Sequence, residues 1–226
     1  MPPKSNAMLE AVIFDMDGVI MDSEPIHYET ELEIMKRFGI SDYSPEEHAK
    51  YVGMRTWDLW TGNIAKYGLD ATAEDLTIEG DEAYIHALSE KDFGPIEGLV
   101  ELLDRIKANG TKMIVASSAS RENIKLVLDK FAITQYFEGY VSSQDVKNTK
   151  PNPDIFLLAA KALDVTPENC VVIEDAKHGV QAAISAGMLC IGYRNLNSGN
   201  QDLSKAHVIV DSHDNIDLKL LEELTN

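Results

Sequence analysis

Cysteine is scarce in this 226-residue chain, which contains only Cys170 and Cys190. Both lie in apolar, strand-like contexts without the spacing of a metal site, so we expect buried free thiols in a reducing cytoplasm rather than a disulfide. Long hydrophobic runs are also missing, since no apolar stretch approaches the roughly 20 residues that span a bilayer. The first residues show no basic segment followed by an apolar stretch, so we expect no secretory signal.

Positive charge is in short supply as well. The chain has 20 Lys and Arg residues against 38 Asp and Glu residues, which gives a formal net charge of −18. Because so acidic a protein repels polyphosphates, we expect no nucleic-acid partner and no binding to an anionic membrane. A phosphorylated substrate would therefore need a locally positive site, made by a metal ion or by a few Lys and Arg side chains.

The remaining composition is that of a globular protein, with 44% hydrophobic residues. The length suits one domain, or one domain with a second small domain inserted into it. Residues 1–7, which include Ser5-Asn6-Ala7, look like a cloning remnant. We expect them to be disordered and exclude them from the fold. We expect the protein to be a monomer or a weak dimer.

Short apolar runs alternate with segments of helical period along most of the chain. Gly110 and Gly187 follow two of the helical segments, as helix ends often require. This alternation predicts an α/β fold with a Rossmann-like, doubly wound parallel sheet covered by helices on both faces. The predicted strands are Ala11–Phe14, Met113–Ala116, Tyr140–Ser142, Val171–Ile173, Leu189–Tyr193 and Val208–Val210. The predicted helices are Leu99–Ala108, Asn123–Phe131, Ile155–Leu163 and Val180–Ala186.

One stretch breaks the alternation, because only helical signals occur from about Asp22 to Phe93. We predict that residues 22–93 form an all-helical cap domain, inserted into a core made of residues 8–21 and 94–226. Its signals are Pro25 in the first turn of Ile26–Phe38, the capping-box pattern Ser44-Pro45-Glu46-Glu47, the segments Thr56–Tyr67 and Thr72–Leu88, and a return hinge at Gly94-Pro95. An insertion after the first strand lies at the carboxyl edge of the sheet, where open α/β folds bind ligands.

Acidic pairs follow two of the predicted strands directly. Asp15 and Asp17 come after the first strand, and Glu174 and Asp175 come after Val171–Ile173. Because parallel strands end at the same edge, these carboxylates would converge and repel one another unless a cation lay between them. The spacing of the first pair does not match a calcium loop. The alternative is that each acidic residue caps the helix that follows it.

Three further residues are predicted at the same edge. Ser117 and Ser118 follow the strand Met113–Ala116 and could donate hydrogen bonds to an anion. Lys150 follows the strand Tyr140–Ser142 by a short loop. A lone lysine is usually a solvated surface charge, but this loop also points at the acidic edge.

Together these residues resemble the haloacid dehalogenase superfamily of phosphotransferases, in particular the branch with a helical cap after the first strand. The resemblance covers Met8 to about Tyr193 and consists of four motifs in order, each at a strand end. They are Phe14–Val19, Ser117, Lys150 with Pro151, and Glu174-Asp175 with Gly179.

The resemblance implies a mechanism and a cofactor. Asp15 would attack phosphorus and form an aspartyl-phosphate, and Asp17 would act as general acid and then as general base. Mg²⁺ would be held by the Asp15 carboxylate, the Asp17 main-chain carbonyl, Asp175 and Glu174. Ser117 and Lys150 would stabilise the phosphoryl oxygens. Dehalogenases need neither the second carboxylate nor the metal, so Asp17 favours phosphoryl chemistry.

Substrate contacts outside this centre are expected from five residues: His27, Glu24, Arg55, Ser118 and Arg121. For His27, Arg55 and Arg121 a structural role or a surface ion pair is the alternative. We expect Trp57 and Trp60 to belong to the core of the cap, and His48, His207 and Asp211–Asp214 to be solvated. Ala176 stands where the family often has serine. The missing hydroxyl removes a possible hydrogen bond near the metal, so we expect weaker tuning of the metal site rather than lost activity.

Three functions stay open on the sequence alone. The first is a phosphatase of a sugar phosphate or a similar small phosphorylated metabolite. The second is a β-phosphoglucomutase, in which a sugar hydroxyl takes the phosphoryl group. Ala119 and Ser120 fill places where mutases commonly have a serine and a lysine for the distal phosphate, which favours hydrolysis. A catalytically silent binding protein is the third, and the filled motifs argue against it. The large insertion disfavours a receiver domain.

Overall fold

The computed structural model describes residues 9–52, 54–90 and 93–225; the expected remnant, residues 1–7, lies outside these ranges. The strands are β1 (Ala11–Phe14), β2 (Lys112–Ser117), β3 (Tyr140–Ser142), β4 (Cys170–Glu174), β5 (Leu189–Tyr193) and β6 (Val208–Val210). They form one parallel sheet in the order β3-β2-β1-β4-β5-β6. All the predicted strands are present, and the predicted doubly wound α/β fold is confirmed.

Helices cover both faces of the sheet. Those of the core are α5 (Leu99–Ala108), α6 (Arg121–Lys130), α7 (Asp154–Leu163), α8 (Lys177–Ser185) and α9 (Leu218–Thr225). Helix α5 buries Leu99, Leu102, Leu103 and Ile106, which is the one-faced spacing of an amphipathic helix. Helices α5, α6 and α9 pack on one side of the sheet, and α7 and α8 pack on the other. This is why the strands are apolar on both faces.

A separate group of helices follows β1. Its members are α1 (Glu24–Arg37), α2 (Pro45–His48), α3 (Thr56–Tyr67) and α4 (Ala73–Glu90). They enclose a hydrophobic cluster of their own that includes Ile34, Met35 and the fully buried Trp60. The helical character of the insertion is therefore confirmed, while its exact domain boundaries and the hinge at Gly94-Pro95 stay predictions.

Two local expectations about the insertion are wrong. Ser44 precedes α2, but its side chain makes no capping hydrogen bond, so the capping box does not form. Trp57 is 46% exposed rather than part of the cap core. Trp57 lies in the first turn of α3 and shares a face with the buried Trp60 three residues later, but at this end of the helix its ring is left uncovered.

The free cysteines lie where the sequence placed them, since Cys170 and Cys190 are both buried and unbonded. Burial raises the pKa of the Cys170 thiol to about 12, so this thiol is protonated and unreactive at neutral pH. Among the helices of the described ranges, none has both the length and the apolar character of a bilayer-spanning segment.

Candidate active site

The first acidic loop begins where β1 ends. Asp15 is only 6% exposed, and its backbone N–H donates a hydrogen bond of 3.0 Å to the carbonyl of Ile173 in β4. Gly18 has a φ of +78°, and a Cβ atom there would lie 1.9 Å from Oδ2 of Asp175. Only glycine therefore lets the first loop pass this close to the acidic loop that follows β4.

Lys150 joins the two acidic loops. Its buried Nζ donates hydrogen bonds of 2.7 Å to Oδ1 of Asp15 and of 2.7 Å to Oε1 of Glu174. Burial alone would lower the pKa of Lys150, but attraction to these two carboxylates outweighs burial and raises the pKa. The lysine is thus a buried positive charge that bridges two buried carboxyl groups.

The carboxylates of Asp15, Glu174 and Asp175 form a compact cluster, with one oxygen of each within 4.8 Å of the others. Burial raises the pKa of Asp15 to about 8, against the opposing charge of Lys150. Burial, followed by repulsion from Glu174 and Asp15, raises the pKa of Asp175 well above its ordinary value. Three buried carboxylates against one lysine leave negative charge that a divalent cation would neutralise, and an all-oxygen donor set fits Mg²⁺.

The second acidic loop is shaped to hold Glu174. Its Oε2 accepts a hydrogen bond of 2.7 Å from the backbone N–H of Ala176. A Cβ atom on Gly179 would lie 1.6 Å from Oε1 of Glu174. The glycine in the first turn of α8 therefore leaves the space that this carboxylate occupies between α8 and Lys150.

Asp17 lies beside two aromatic side chains of the cap. Nε2 of His27 is 3.8 Å from Oδ1 of Asp17, and the His27 ring stacks on Tyr84 with ring centroids 4.0 Å apart. Burial alone would raise the pKa of Asp17, but His27 outweighs burial and lowers it. Burial alone would lower the pKa of His27, but Asp17 raises it. The pair therefore favours a carboxylate next to an imidazolium.

The two serines after β2 are placed differently. Ser117 is fully buried, and its Oγ accepts a hydrogen bond of 3.0 Å from the backbone N–H of Ala119. The carbonyl of Ser118 accepts a hydrogen bond of 2.8 Å from the hydroxyl of Ser143. Ser118 lines the cleft between core and cap, whereas Ser117 lies just behind its wall.

A buried histidine holds two cap carboxylates together, and the expectation that His48 is solvated is wrong. Nε2 of His48 lies 2.7 Å from Oε2 of Glu24, and Nδ1 lies 2.8 Å from Oε2 of Glu31. Burial alone would lower the pKa of His48, but its bonds to both glutamates outweigh burial and raise the pKa to about 10. The hydroxyl of Tyr43 also donates a hydrogen bond of 2.8 Å to Glu31.

A second histidine was also wrongly expected to be solvated, because it lies within Asp211–Asp214. His213 is fully buried, and its Nε2 lies 2.8 Å from the carbonyl of Val19. His207 is exposed, as expected. Both histidines are buried by contacts with distant segments of the chain, and a local sequence pattern does not show such contacts.

The two arginines expected to contact substrate are both ion-paired. Nε and Nη2 of Arg55 donate hydrogen bonds of 2.9 and 3.0 Å to Asp58. Arg121 pairs with Asp145. Arg55 lines the cleft, whereas Arg121 does not.

The cleft itself has a volume of about 270 Å³, enough for a small metabolite. Of the residues expected to act, those that line it are Asp15, Asp17, Glu24, His27, Arg55, Ser118, Lys150, Glu174 and Asp175. Sequence reasoning missed two residues near it, Asp81 and Ser198. Asp81 lies three residues before Tyr84 on α4 and so shares its face, whereas Ser198 belongs to an irregular loop with no recognisable pattern.

Comparison with known proteins identifies a single family. The sequence profile of the haloacid dehalogenase-like hydrolases matches residues 12–193. A phosphorylated carbohydrates phosphatase of Thermotoga maritima is 34% identical over 80% of this chain and 82% of its own length. The fructose-1-phosphate phosphatase YqaB of Escherichia coli is 34% identical over 81% of this chain and 95% of its own length. The β-phosphoglucomutase of Bacillus subtilis is 32% identical over 95% of both chains.

Solved structures agree with these sequence matches. The β-phosphoglucomutase of Clostridium difficile superposes with a TM-score of 0.83 at 30% identity, over 97% of this chain and 98% of the other. CbbY of Rhodobacter sphaeroides, in complex with xylulose 1,5-bisphosphate, gives a TM-score of 0.86 at 24% identity, over 95% of this chain and 100% of the other. The CbbY match supports the shared fold alone.

Proposed function

This chain belongs to the haloacid dehalogenase-like hydrolase family, and on that premise we propose that it is a magnesium-dependent phosphatase of a small phosphorylated metabolite, most simply a sugar phosphate. One observation carries the proposal. Lys150 bridges Asp15 and Glu174 at 2.7 Å each, and Asp175 completes the carboxylate cluster. Positioning and charge neutralisation are what phosphoryl transfer requires.

The first step is transfer of the phosphoryl group to the protein. A carboxylate oxygen of Asp15 attacks phosphorus, a new O–P bond forms, and the bond to the leaving oxygen breaks. Asp17 gives its proton to that oxygen. The negative charge of a bound phosphate raises the proton affinity of Asp17 and so offsets the effect of His27.

The second step is hydrolysis of the aspartyl-phosphate. Water attacks phosphorus, Asp17 accepts the proton of the water, and inorganic phosphate leaves as Asp15 is regenerated. His27 favours the ionised form of Asp17, which is the form that this step needs. Lys150 stabilises the phosphoryl oxygens in both steps, together with Ser118, the serine after β2 that lines the cleft.

The residues that would hold Mg²⁺ are Asp15, Glu174 and Asp175 through side chains, and Asp17 through its main-chain carbonyl. The ion, when bound, neutralises charge on the transferring phosphoryl group. Gly18 and Gly179 keep the space around these carboxylates open.

A second candidate is a β-phosphoglucomutase, which the 32% identity to the Bacillus subtilis enzyme over 95% of both chains favours. In that reaction a sugar hydroxyl replaces water as the acceptor. Ala119 and Ser120, which line the cleft, offer no cation for a distal phosphate, and this supports hydrolysis.

The two functions separate in one assay. The protein is incubated with a panel of sugar monophosphates, including β-glucose 1-phosphate, with Mg²⁺ and in parallel with EDTA. Magnesium-dependent release of inorganic phosphate is the expected result. Formation of glucose 6-phosphate without free phosphate would identify a mutase, and no reaction on any compound would contradict both.

A further inference from the structure

The cap side of the cleft is acidic. Beyond the catalytic carboxylates, the cap contributes Glu24, Glu31 and Asp81 to the cleft wall. Two apolar surfaces, the rings of Tyr51 and Trp57, lie along the same wall. The wall therefore combines hydrogen-bond acceptors with aromatic faces, which is a surface suited to the hydroxyls and the C–H faces of a polyol.

The cations that line the cleft, among the residues that the structure describes, are already matched by carboxylates. Lys150 bonds to Asp15 and Glu174 inside the catalytic centre. Arg55 is held by Asp58 at 2.9 Å. Each of these two cations therefore already has a carboxylate partner.

The two histidines of the cleft are matched in the same way. His27 faces Asp17 at 3.8 Å. His48 lies between Glu24 and Glu31, so one positive charge is shared by two negative ones. When the ion-pair partners of these cations are counted as well, this half of the cleft has two more negative than positive charges with both histidines protonated. The acidic groups are Asp17, Glu24, Glu31, Asp58 and Asp81, and the basic groups are His27, His48 and Arg55.

Asp81 is the carboxylate best placed to act on a ligand. It lies on α4, one turn before Tyr84, and its Oδ1 accepts only a long hydrogen bond of 3.5 Å from Thr56. Within the described ranges, no cation lies at ion-pair distance from it. Burial raises the pKa of Asp81, and the charge of His27 opposes that rise. A half-buried acceptor without a cation partner readily accepts hydrogen bonds from hydroxyls and repels phosphate.

We propose that the cleft selects a substrate that carries one phosphate on an uncharged polyol, and that Asp81 binds a hydroxyl of that substrate and excludes a second phosphate. The inference rests on the proposed phosphatase function and narrows its substrate class. CbbY, whose structure holds a bisphosphate on the same fold, shows that the fold itself does not forbid two phosphates. The discrimination must therefore come from side chains of this cleft.

The same charge pattern influences which molecule can accept the phosphoryl group from Asp15. Transfer of the phosphoryl group from Asp15 to a hydroxyl of a bound monophosphate would break the Asp15–phosphorus bond, form a new ester bond and pass the hydroxyl proton to Asp17. The product in the cleft would be a bisphosphate, whose second phosphate would face Asp81. Water, which adds no charge, is the acceptor that this cleft tolerates.

Binding can be measured without turnover. Calorimetric titrations with Mg²⁺ use the Asp15→Asn variant and two matched ligand pairs, fructose 1-phosphate with fructose 1,6-bisphosphate, and glucose 1-phosphate with glucose 1,6-bisphosphate. We expect each bisphosphate to bind roughly tenfold more weakly than its monophosphate, because its second phosphate meets unbalanced negative charge. Adding Asp81→Asn should remove most of this difference, and Asp81→Ser repeats the test if the first variant is unstable.

The matched control is Glu82→Gln, which removes an equal charge from the exposed neighbour on α4 and should leave the ratio unchanged. The inference would be overturned if the bisphosphates bound as tightly as the monophosphates. It would also be overturned if Asp81→Asn left the ratio of bisphosphate to monophosphate affinity unchanged, or if neither monophosphate bound. These experiments measure the affinities of a variant that cannot turn over. The proposed function is tested separately, by phosphate release from the unmodified protein, so the two can fail independently.

Discussion

The hydroxyl of Ser198 donates a hydrogen bond of 2.5 Å to Oδ2 of Asp175. Ser198 is fully buried and lies in the loop after β5, where Nδ2 of Asn195 also donates a hydrogen bond of 3.2 Å to the carbonyl of Gly18. The loop therefore supports a carboxylate of the cluster from a distant part of the chain. It supplies the hydroxyl that Ala176, directly after Asp175, cannot offer.

Ser198→Ala should weaken Mg²⁺ binding by roughly tenfold, because losing a partner of a metal-binding carboxylate typically has this effect. The measurement is a Mg²⁺ titration followed by calorimetry, with the half-saturating Mg²⁺ concentration of phosphate release as a second reading. Ser204→Ala, at an exposed serine of the same loop, is the control and should behave like the unmodified protein. Unchanged Mg²⁺ affinity in Ser198→Ala would show that the hydrogen bond does not position Asp175 for the ion.

Asp15→Asn should abolish turnover and leave the fold intact, because the amide has nearly the shape of the carboxylate but is a far weaker nucleophile. Intact-mass measurement after mixing with substrate should detect a phosphoryl group on the unmodified protein and none on the variant. Circular dichroism should give the same spectrum for both. Activity of Asp15→Asn near that of the unmodified protein would refute the assigned nucleophile.

Asp17→Asn should slow the reaction by about 10²–10⁴-fold on substrates with poor leaving groups, which need a proton from Asp17. The loss should be much smaller on p-nitrophenyl phosphate, whose leaving group needs no proton, when release of p-nitrophenol is followed in a single turnover. Rates on an alkyl and on an aryl phosphate give the comparison. Equal losses on both would argue against leaving-group protonation as the role of Asp17.

The carboxyl ends of the strands were the most predictable part of the molecule. Asp15 and Glu174 each stand next to a short apolar run, and parallel pairing of β1 with β4 is enough to bring them together. Lys150 was predicted for the same reason. Periodicity also predicted α5 and α3, since the buried face of each helix repeats in a local pattern.

The residues that sequence reasoning missed or misplaced depend on contacts between distant segments. Ser198 meets Asp175 across 23 residues, and His48 meets Glu24 across 24. His48 follows two glutamates in a short polar helix, which is the local pattern of a solvated residue. Its burial follows from the packing of α2 against α1, and no periodicity within either helix encodes that packing. Oligomeric state and cellular compartment stay predictions.

His48 makes a pH dependence of stability testable. The pKa of His48 in the folded protein is raised to about 10, against an ordinary value near 6.5. A raised pKa contributes stability that is fully present below about pH 6.5 and is lost as the pH rises through about 10. Over this window His48 keeps its proton in the folded protein while the unfolded chain releases its proton, so the charge stabilises the folded state less and less. The melting temperature should therefore fall, by about 2–4 °C for each kcal/mol lost in a chain of this size.

Other groups titrate in the same pH range, so the informative quantity is the difference from a variant that cannot ionise there. His48→Gln keeps a hydrogen-bond donor without the charge, and it should melt well below the unmodified protein at pH 6.5. The gap in melting temperature should then narrow steadily toward pH 10, because keeping His48 protonated in the folded protein becomes more costly as the pH rises above the pKa of the unfolded chain. His86→Gln, at an exposed histidine of α4, should follow the unmodified protein throughout. A gap for His48→Gln that stays constant from pH 6.5 to 10 would mean that His48 is not held as a buried cation between Glu24 and Glu31.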